Sequence, residues 1–168
     1  RLLHNDPQGI ATAAAILRAG GLVAFGTETV YGLGADAGND AAVAAIYTAK
    51  GRPGINPLIS HFASGEAAFT QVAATPLAQK LAERFWPGPL TMVLPRTARC
   101  GISPVATAGL STAAVRVPAG RTTQALLAAC GFPVVAPSAN PSGRVSPSDA
   151  RHCLLYTSDA ADDTPCVD

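Results

Sequence analysis

A layered α/β domain is the fold class that this sequence predicts, and three observations predict it. Short apolar runs of strand length, Leu22–Phe25, Leu90–Leu94 and Val134–Ala136 among them, mostly alternate with Ala- and Leu-rich stretches of helical length. Glycine and proline punctuate the junctions, as at Gly20-Gly21, Trp86-Pro87-Gly88-Pro89 and Gly131. The 168 residues, 48% of them hydrophobic, suffice for one substantial core.

Each element has a local reason. Asp6-Pro7 pairs an N-cap with a proline at the first helical position, so a helix is expected to run to Ala19 and stop at Gly20-Gly21. Leu22–Phe25 is apolar throughout, as in a strand buried on both faces, and it delivers the segment Thr27–Gly34 at its end. Asp40 is read as the cap of a second helix, Ala41–Ala49, leading into Lys50-Gly51-Arg52-Pro53. Pro57–Phe62 reads as a strand with His61 near its end. Ser64–Ala73 and Pro76–Phe85 have apolar positions at helical spacing. Leu90–Leu94 and Ala113–Val117 are expected strands flanking a Gly/Ser/Thr-rich loop over 97–112. Arg121–Cys130 is a helix closed by Gly131, Val134–Ala136 a strand, and 138–147 a polar loop.

Composition narrows the function classes. The mean hydropathy is +0.25, yet the apolar runs are far shorter than the ~20 residues of a membrane helix, and no secretory leader pattern opens the chain. Cys100, Cys130, Cys153 and Cys166 are widely spaced, with no C-x-x-C pair, and fit free thiols in a reducing cytoplasm. No His/Cys/Asp metal constellation and no nucleophile elbow is present, which argues against zinc and covalent hydrolase chemistry. Residues 1–152 carry all 12 Lys/Arg against 7 of the 11 Asp/Glu, a net +5, whereas the last 16 residues carry four Asp and no cation. The main body therefore suits anionic ligands.

Lys50 and Arg52 lie one residue apart on a turn bounded by glycine and proline, where a point charge and a planar fork can meet a polyphosphate from two sides. Taken alone, they equally suit a solvated helix end. Gly26-Thr27-Glu28-Thr29-Val30-Tyr31-Gly32-Leu33-Gly34 offers hydroxyls, amides and a carboxylate after a strand, or else a tight turn with Tyr31 in the core. Ser138 and Asn140 sit in a Pro-bracketed loop and suit a ribose, a phosphate or a metal-bound water, or an ordinary turn. Arg116, in an apolar row, requires an anion: a substrate carboxylate, or Glu28 or Asp36 in an internal ion pair. His61 fits either a ligand contact or a satisfied strand-end histidine. Trp86 reads as core.

Together, Gly26–Gly34, Ile46–Phe62 with Lys50-Gly51-Arg52-Pro53 and Asn56-Pro57-Leu58, Phe85–Leu94, Val115–Pro118 and Pro133–Pro147 resemble the YrdC family, the threonylcarbamoyl-AMP synthases. The resemblance covers about residues 8–150. It implies a twisted mixed sheet flanked by helices around a concave, positively charged cavity. It also implies a reaction in which L-threonine, bicarbonate or CO2 and ATP, with Mg2+, give threonylcarbamoyl-adenylate and pyrophosphate. The product serves tRNA modification through a separate transferase complex. By the same resemblance Lys50 and Arg52 hold the ATP phosphates and act in catalysis, Ser138, Asn140 and Ser146 line the nucleotide site, Arg116 receives the threonine carboxylate, and Thr27, Tyr31 and His61 position threonine. No protein metal ligand is implied. A double-stranded RNA or tRNA-binding module and a carbamoyl-adenylate-forming paralogue are the competing readings.

The sequence departs from the family at Gly26, where proline is usual, at Gly120, where histidine commonly stands, and after the Ser-Pro-Ser segment. There the family's further strands and Ser-Thr-Val-Val-Asp-like stretch, which close the nucleotide site, are not seen. Residues 1–152 are accordingly expected to form a YrdC-like domain incomplete at its C-terminus, and 153–168 a non-family tail. Within that tail, 154–163 resembles a translated sequencing-adapter read-through.

Overall fold

The computed structural model describes residues 2–148 and 165–167. Among them the chain order is β1 (Leu2–Leu3), α1 (Pro7–Arg18), β2 (Val23–Gly26), β3 (Tyr31–Asp36), α2 (Asp40–Lys50), β4 (Ile59–His61), α3 (Gly65–Gln71), α4 (Pro76–Phe85), β5 (Met92–Pro95), β6 (Thr112–Arg116), α5 (Arg121–Cys130), β7 (Val134–Val135) and β8 (Cys166–Val167). The strands form one mixed sheet in the order β1-β8-β2-β3-β7-β4-β6-β5. β1, β8 and β2 are mutually parallel, as are β4 and β6; the other pairs are antiparallel.

The helices end where the sequence dictates. Asp6 caps α1 by accepting from the Gly9 N–H at 2.7 Å, with Pro7 in the first turn, and Gly20 follows in a left-handed conformation at φ 84°. Asn39, rather than Asp40, caps α2: its Oδ1 accepts from Ala41 and Ala42 at 3.1 Å, and Asp40 is the first helical residue, where its charge meets the helix dipole. Ser64 and Thr75 cap α3 and α4. Gly131 closes α5 at φ 72°.

The sheet is buried on both faces, and alternation along each strand divides the core in two. Val23, Phe25, Val134, Ala136 and Val167 pack with Ala13, Ala14 and Leu17 of α1 and Leu126, Leu127 and Cys130 of α5. Ala24, Leu33, Ala35, Ala113, Val115, Val135 and Cys166 pack instead with Val43 and Ile46 of α2, Ala68 of α3 and Ala78 and Ala82 of α4. The result is a three-layer α/β domain. None of its helices is long and apolar enough to cross a membrane.

The structure also differs from the sequence reading in the segments 26–34 and 153–168. Within 26–34 the turn is confined to 27–30, and the rest is strand: Val23–Gly26 and Tyr31–Asp36 pair antiparallel across it. The glycines serve packing there, since a Cβ on Gly34 would lie 2.5 Å from Phe25 Cε1 and one on Gly32 3.1 Å from Ala136 Cβ. Of the segment 153–168 that the sequence sets apart from the domain, Pro165–Val167 are buried, and Cys166 and Val167 fill the slot between β1 and β2. The remainder of that segment lies outside the described residues.

Candidate active site

Lys50 is the last residue of α2, and Gly51 behind it takes the left-handed conformation that ends the helix at φ 56°. Its position is not the solvated turn the sequence suggests. The side chain is 5% exposed, and Nζ donates to the main-chain carbonyls of Ser138 and Asn140. The Lys50 carbonyl in turn accepts from the Ser142 N–H at 2.9 Å. Burial, and then repulsion from Arg52, push the Lys50 ammonium down to about 8. Three donors less two partners leave one N–H for a further acceptor. Arg52 is half-buried and folds over its own loop, donating to the Asn56 and Pro57 carbonyls at 3.4 and 3.3 Å.

The loop that Lys50 holds carries a buried amide with one unused acceptor. Asn140 Nδ2 donates to the carbonyls of Pro141 and Arg144 at 2.9 and 2.8 Å, which fixes the amide's orientation and leaves Oδ1 buried with no partner. Ser138 bridges to Gly32, and the Ala139 N–H donates to the Tyr31 carbonyl at 2.7 Å. At the far end of the loop, next to the half-buried Ser146, the Pro147 carbonyl accepts from the Tyr31 N–H at 3.0 Å. Lys50, Ser138 and Asn140 are thus brought together, with Ser146 on the same loop.

A second group gathers around Arg116, the last residue of β6. Its Nη2 pairs with Glu28 Oε1 and its Nε donates to the Gly88 carbonyl at 3.3 Å. Of the two internal partners open to Arg116 in the sequence, the structure selects Glu28. The other carboxylate oxygen of Glu28 accepts from the Ala119 N–H at 3.2 Å. Burial alone would raise the Glu28 carboxyl. Its own backbone N–H, the guanidinium and the Ala119 amide outweigh that and hold it below its usual value. His61 lies in register with Arg116 on the adjacent parallel strand. It is 2% exposed, its Nδ1 has no partner among the described residues, and burial and then the nearby guanidinium outweigh main-chain hydrogen bonds at Val134 and Ile59 and the charge of Glu28 and push it down to about 4, so the ring is neutral at pH 7.

The β2–β3 turn joins the two groups. Thr27 Oγ1 organises it, donating to the Val30 carbonyl at 2.7 Å and accepting from the Thr29 and Val30 N–H groups. Glu28 at the turn reaches Arg116 and Ala119, Tyr31 just after it is bonded to the 137–147 loop, and Thr123 of α5 donates to the Gly26 carbonyl at 2.5 Å. Two cavities, of about 520 and 310 Å³, lie elsewhere on the molecule, and neither is lined by a predicted site residue or by a cation. Sequence reasoning did not assign Glu28 to the site. The available signal was a carboxylate between two threonines, within reach of an arginine that needed an anion.

Residues 15–163 match the Sua5/YciO/YrdC family model, described as telomere recombination. The chain belongs to this family. It is 52% identical over 152 residues to the threonylcarbamoyl-AMP synthase of Bacillus subtilis (strain 168), an alignment covering 90% of this chain and 43% of that protein. It is 43% identical over 141 residues to the threonylcarbamoyl-AMP synthase of Halorhodospira halophila (strain DSM 244 / SL1), covering 82% and 72%. Among solved structures of the family, that of P. abyssi Sua5 complexed with L-threonine superposes with a TM-score of 0.93 at 43% identity, covering 100% of this chain and 50% of that one. The chain therefore spans about half the length of several relatives it matches.

Proposed function

We propose that this chain is the adenylate-forming domain of an L-threonylcarbamoyladenylate synthase. One observation carries the reading: the segment 27–31 meets the loop held by buried Lys50 through the main chain of Tyr31, and meets Arg116 through Glu28. The groups assigned here to phosphate and to carboxylate thus flank the same hydroxyl-rich segment.

In this reading the nucleotide lies against the 138–147 loop. Asn140 Oδ1, Ser138 and Ser146 take its polar groups, while the remaining Lys50 N–H and the Arg52 guanidinium take phosphate oxygens. Arg116 takes the threonine carboxylate. Thr27, Tyr31 and the neutral His61 orient the amine and hydroxyl. The threonine nitrogen bonds to the carbon of CO2, losing a proton, and a carbamate oxygen then attacks the α-phosphorus as the bond to pyrophosphate breaks. Such a sequence requires alignment of reactants and stabilisation of phosphate charge rather than a protein nucleophile.

Mg2+ would enter with the triphosphate, whose phosphate oxygens are the hard ligands this ion takes. The adenylate would pass, in the cytoplasm, to a separate transferase complex that modifies tRNA. A positively charged cavity around Lys50, Arg52 and Arg116 belongs to the same proposal.

The test is pyrophosphate release from ATP and bicarbonate with and without L-threonine, on this chain and on a version with a family C-terminal sequence in place of residues 153–168. Threonine-dependent release is expected. No release from either folded protein would overturn the reading.

A further inference from the structure

The proposed function employs the Arg116 guanidinium and leaves its partner carboxylate without a role of its own. The two groups are mostly covered, with side-chain exposures of 10% for Arg116 and 19% for Glu28. Neither is saturated. The Glu28 carboxylate accepts from Arg116, from Ala119 and from its own backbone N–H, so about one of its four acceptor positions remains. Arg116 uses Nε and Nη2, and its Nη1 takes no hydrogen bond among the described residues. A cation with open donors thus stands directly beside an anion with an open acceptor.

An α-amino acid is the complementary shape, with a carboxylate and an ammonium on the same carbon. A second and independent observation points to a ligand at this place: His61, 2% exposed and in register with Arg116, has a buried Nδ1 with no partner among the described residues. We propose that Glu28 is the ammonium-binding residue of an α-amino-acid site, so that the Glu28–Arg116 pair reads both ends of the substrate zwitterion. This deepens the threonine reading and rests on it.

The pairing also discriminates. A ligand with a carboxylate but no ammonium would bring a second negative charge to a guanidinium that Glu28 already neutralises, and a dianionic carbamoyl phosphate would fare worse. The carboxylate therefore selects for amino acids and against the acids and phosphates that Arg116 alone would welcome. Glu28 stays ionised for this purpose, since its neighbours hold its carboxyl below the usual value.

The experiment is calorimetric titration, at saturating adenylyl imidodiphosphate, with L-threonine and with 3-hydroxybutyrate, which has the same carbon skeleton and no amine. The wild-type chain is expected to prefer threonine by about tenfold or more, the usual worth of a hydrogen bond to a charged group. Glu28→Gln should abolish the preference by weakening threonine while leaving 3-hydroxybutyrate unchanged or tighter, and Glu28→Asp should retain part of it. If Glu28→Gln weakens both ligands alike, Glu28 merely orients Arg116 and the proposal fails. It fails equally if the preference survives in Glu28→Gln. Should Glu28→Gln not fold, equal binding of the two ligands by the wild type, or no preference in Glu28→Asp, overturns it. Threonine binding with an unaltered preference in the variant sinks this inference alone, whereas no threonine binding by the wild type removes the threonine reading as well.

Discussion

Acidification from pH 7 to pH 5 should destabilise the domain by about 2 kcal/mol through His61 alone. The ring is 2% exposed, so solvent screening does not discount the effect, and its pKa falls from 6.5 to about 4 on folding. The unfolded chain takes up the proton first, and the native ring stays neutral. Stability is therefore fully present above the unfolded pKa and is lost as pH falls from about 6.5 towards the folded value. The whole shift of roughly 2.5 units corresponds to about 3 kcal/mol, of which some two thirds is lost by pH 5. Glu28, lowered from 4.5, releases its own contribution only below that window, which leaves pH 5–6.5 to the histidine. The assay is urea unfolding at pH 7, 6 and 5 for the wild type and His61→Gln. The wild-type stability should fall with pH, and the variant, which cannot protonate there, should lose the His61 share of that fall. Equal slopes would refute the assignment of a neutral, buried His61.

Three further outcomes follow from particular contacts. Lys50→Met removes two hydrogen bonds from a charged donor to buried carbonyls, worth about 3–6 kcal/mol together. It also relieves the cost of burying the cation, roughly 3 kcal/mol from the fall to about 8, so a net loss of at most about 3 kcal/mol is expected in thermal or urea unfolding. Arg52→Ala, whose contacts are exposed loop carbonyls, should change stability by under ~0.5 kcal/mol while reducing threonine-dependent pyrophosphate release more than about tenfold. Near-native turnover in a folded Arg52→Ala would remove it from the phosphate site. Gly34→Ala should destabilise by about 1–3 kcal/mol, because the new methyl would meet Phe25 at 2.5 Å and Val134 at 3.1 Å in the core; an unchanged unfolding midpoint would show that the ring moves aside.

Much of the fold is legible residue by residue. α1 follows from Asp6-Pro7 and Gly20, α4 from Thr75-Pro76, and α5 runs over Arg121–Cys130 to Gly131 as the sequence indicates. These signals are local, since caps and helix-ending glycines act within a turn of the residues they serve. β3 was not legible because Tyr31-Gly32-Leu33-Gly34-Ala35-Asp36 is poor in strand-forming residues, and only the proximity of Phe25 and Ala136 shows why glycine is needed there. β1 and β8, two residues each, carry no period at all.

The candidate site divides in the same way. Lysine, arginine, asparagine and serine in ordered motifs are written in the chain, and their chemistry alone limits what they can bind. Their partners are not. Lys50 meets the carbonyls of Ser138 and Asn140 across 88 and 90 residues, and Arg116 meets Glu28 across 88. Which carbonyl receives a buried ammonium, and which carboxylate neutralises a buried guanidinium, depends on strand order and on where each helix ends. The sequence by itself determined the α/β class, the order of the helices and the family. The tertiary structure decided that Lys50 is buried, that His61 stays neutral and that Arg116 has a carboxylate beside it, because burial and pairing are properties of neighbours brought together only by the assembled sheet and the helices packed on it.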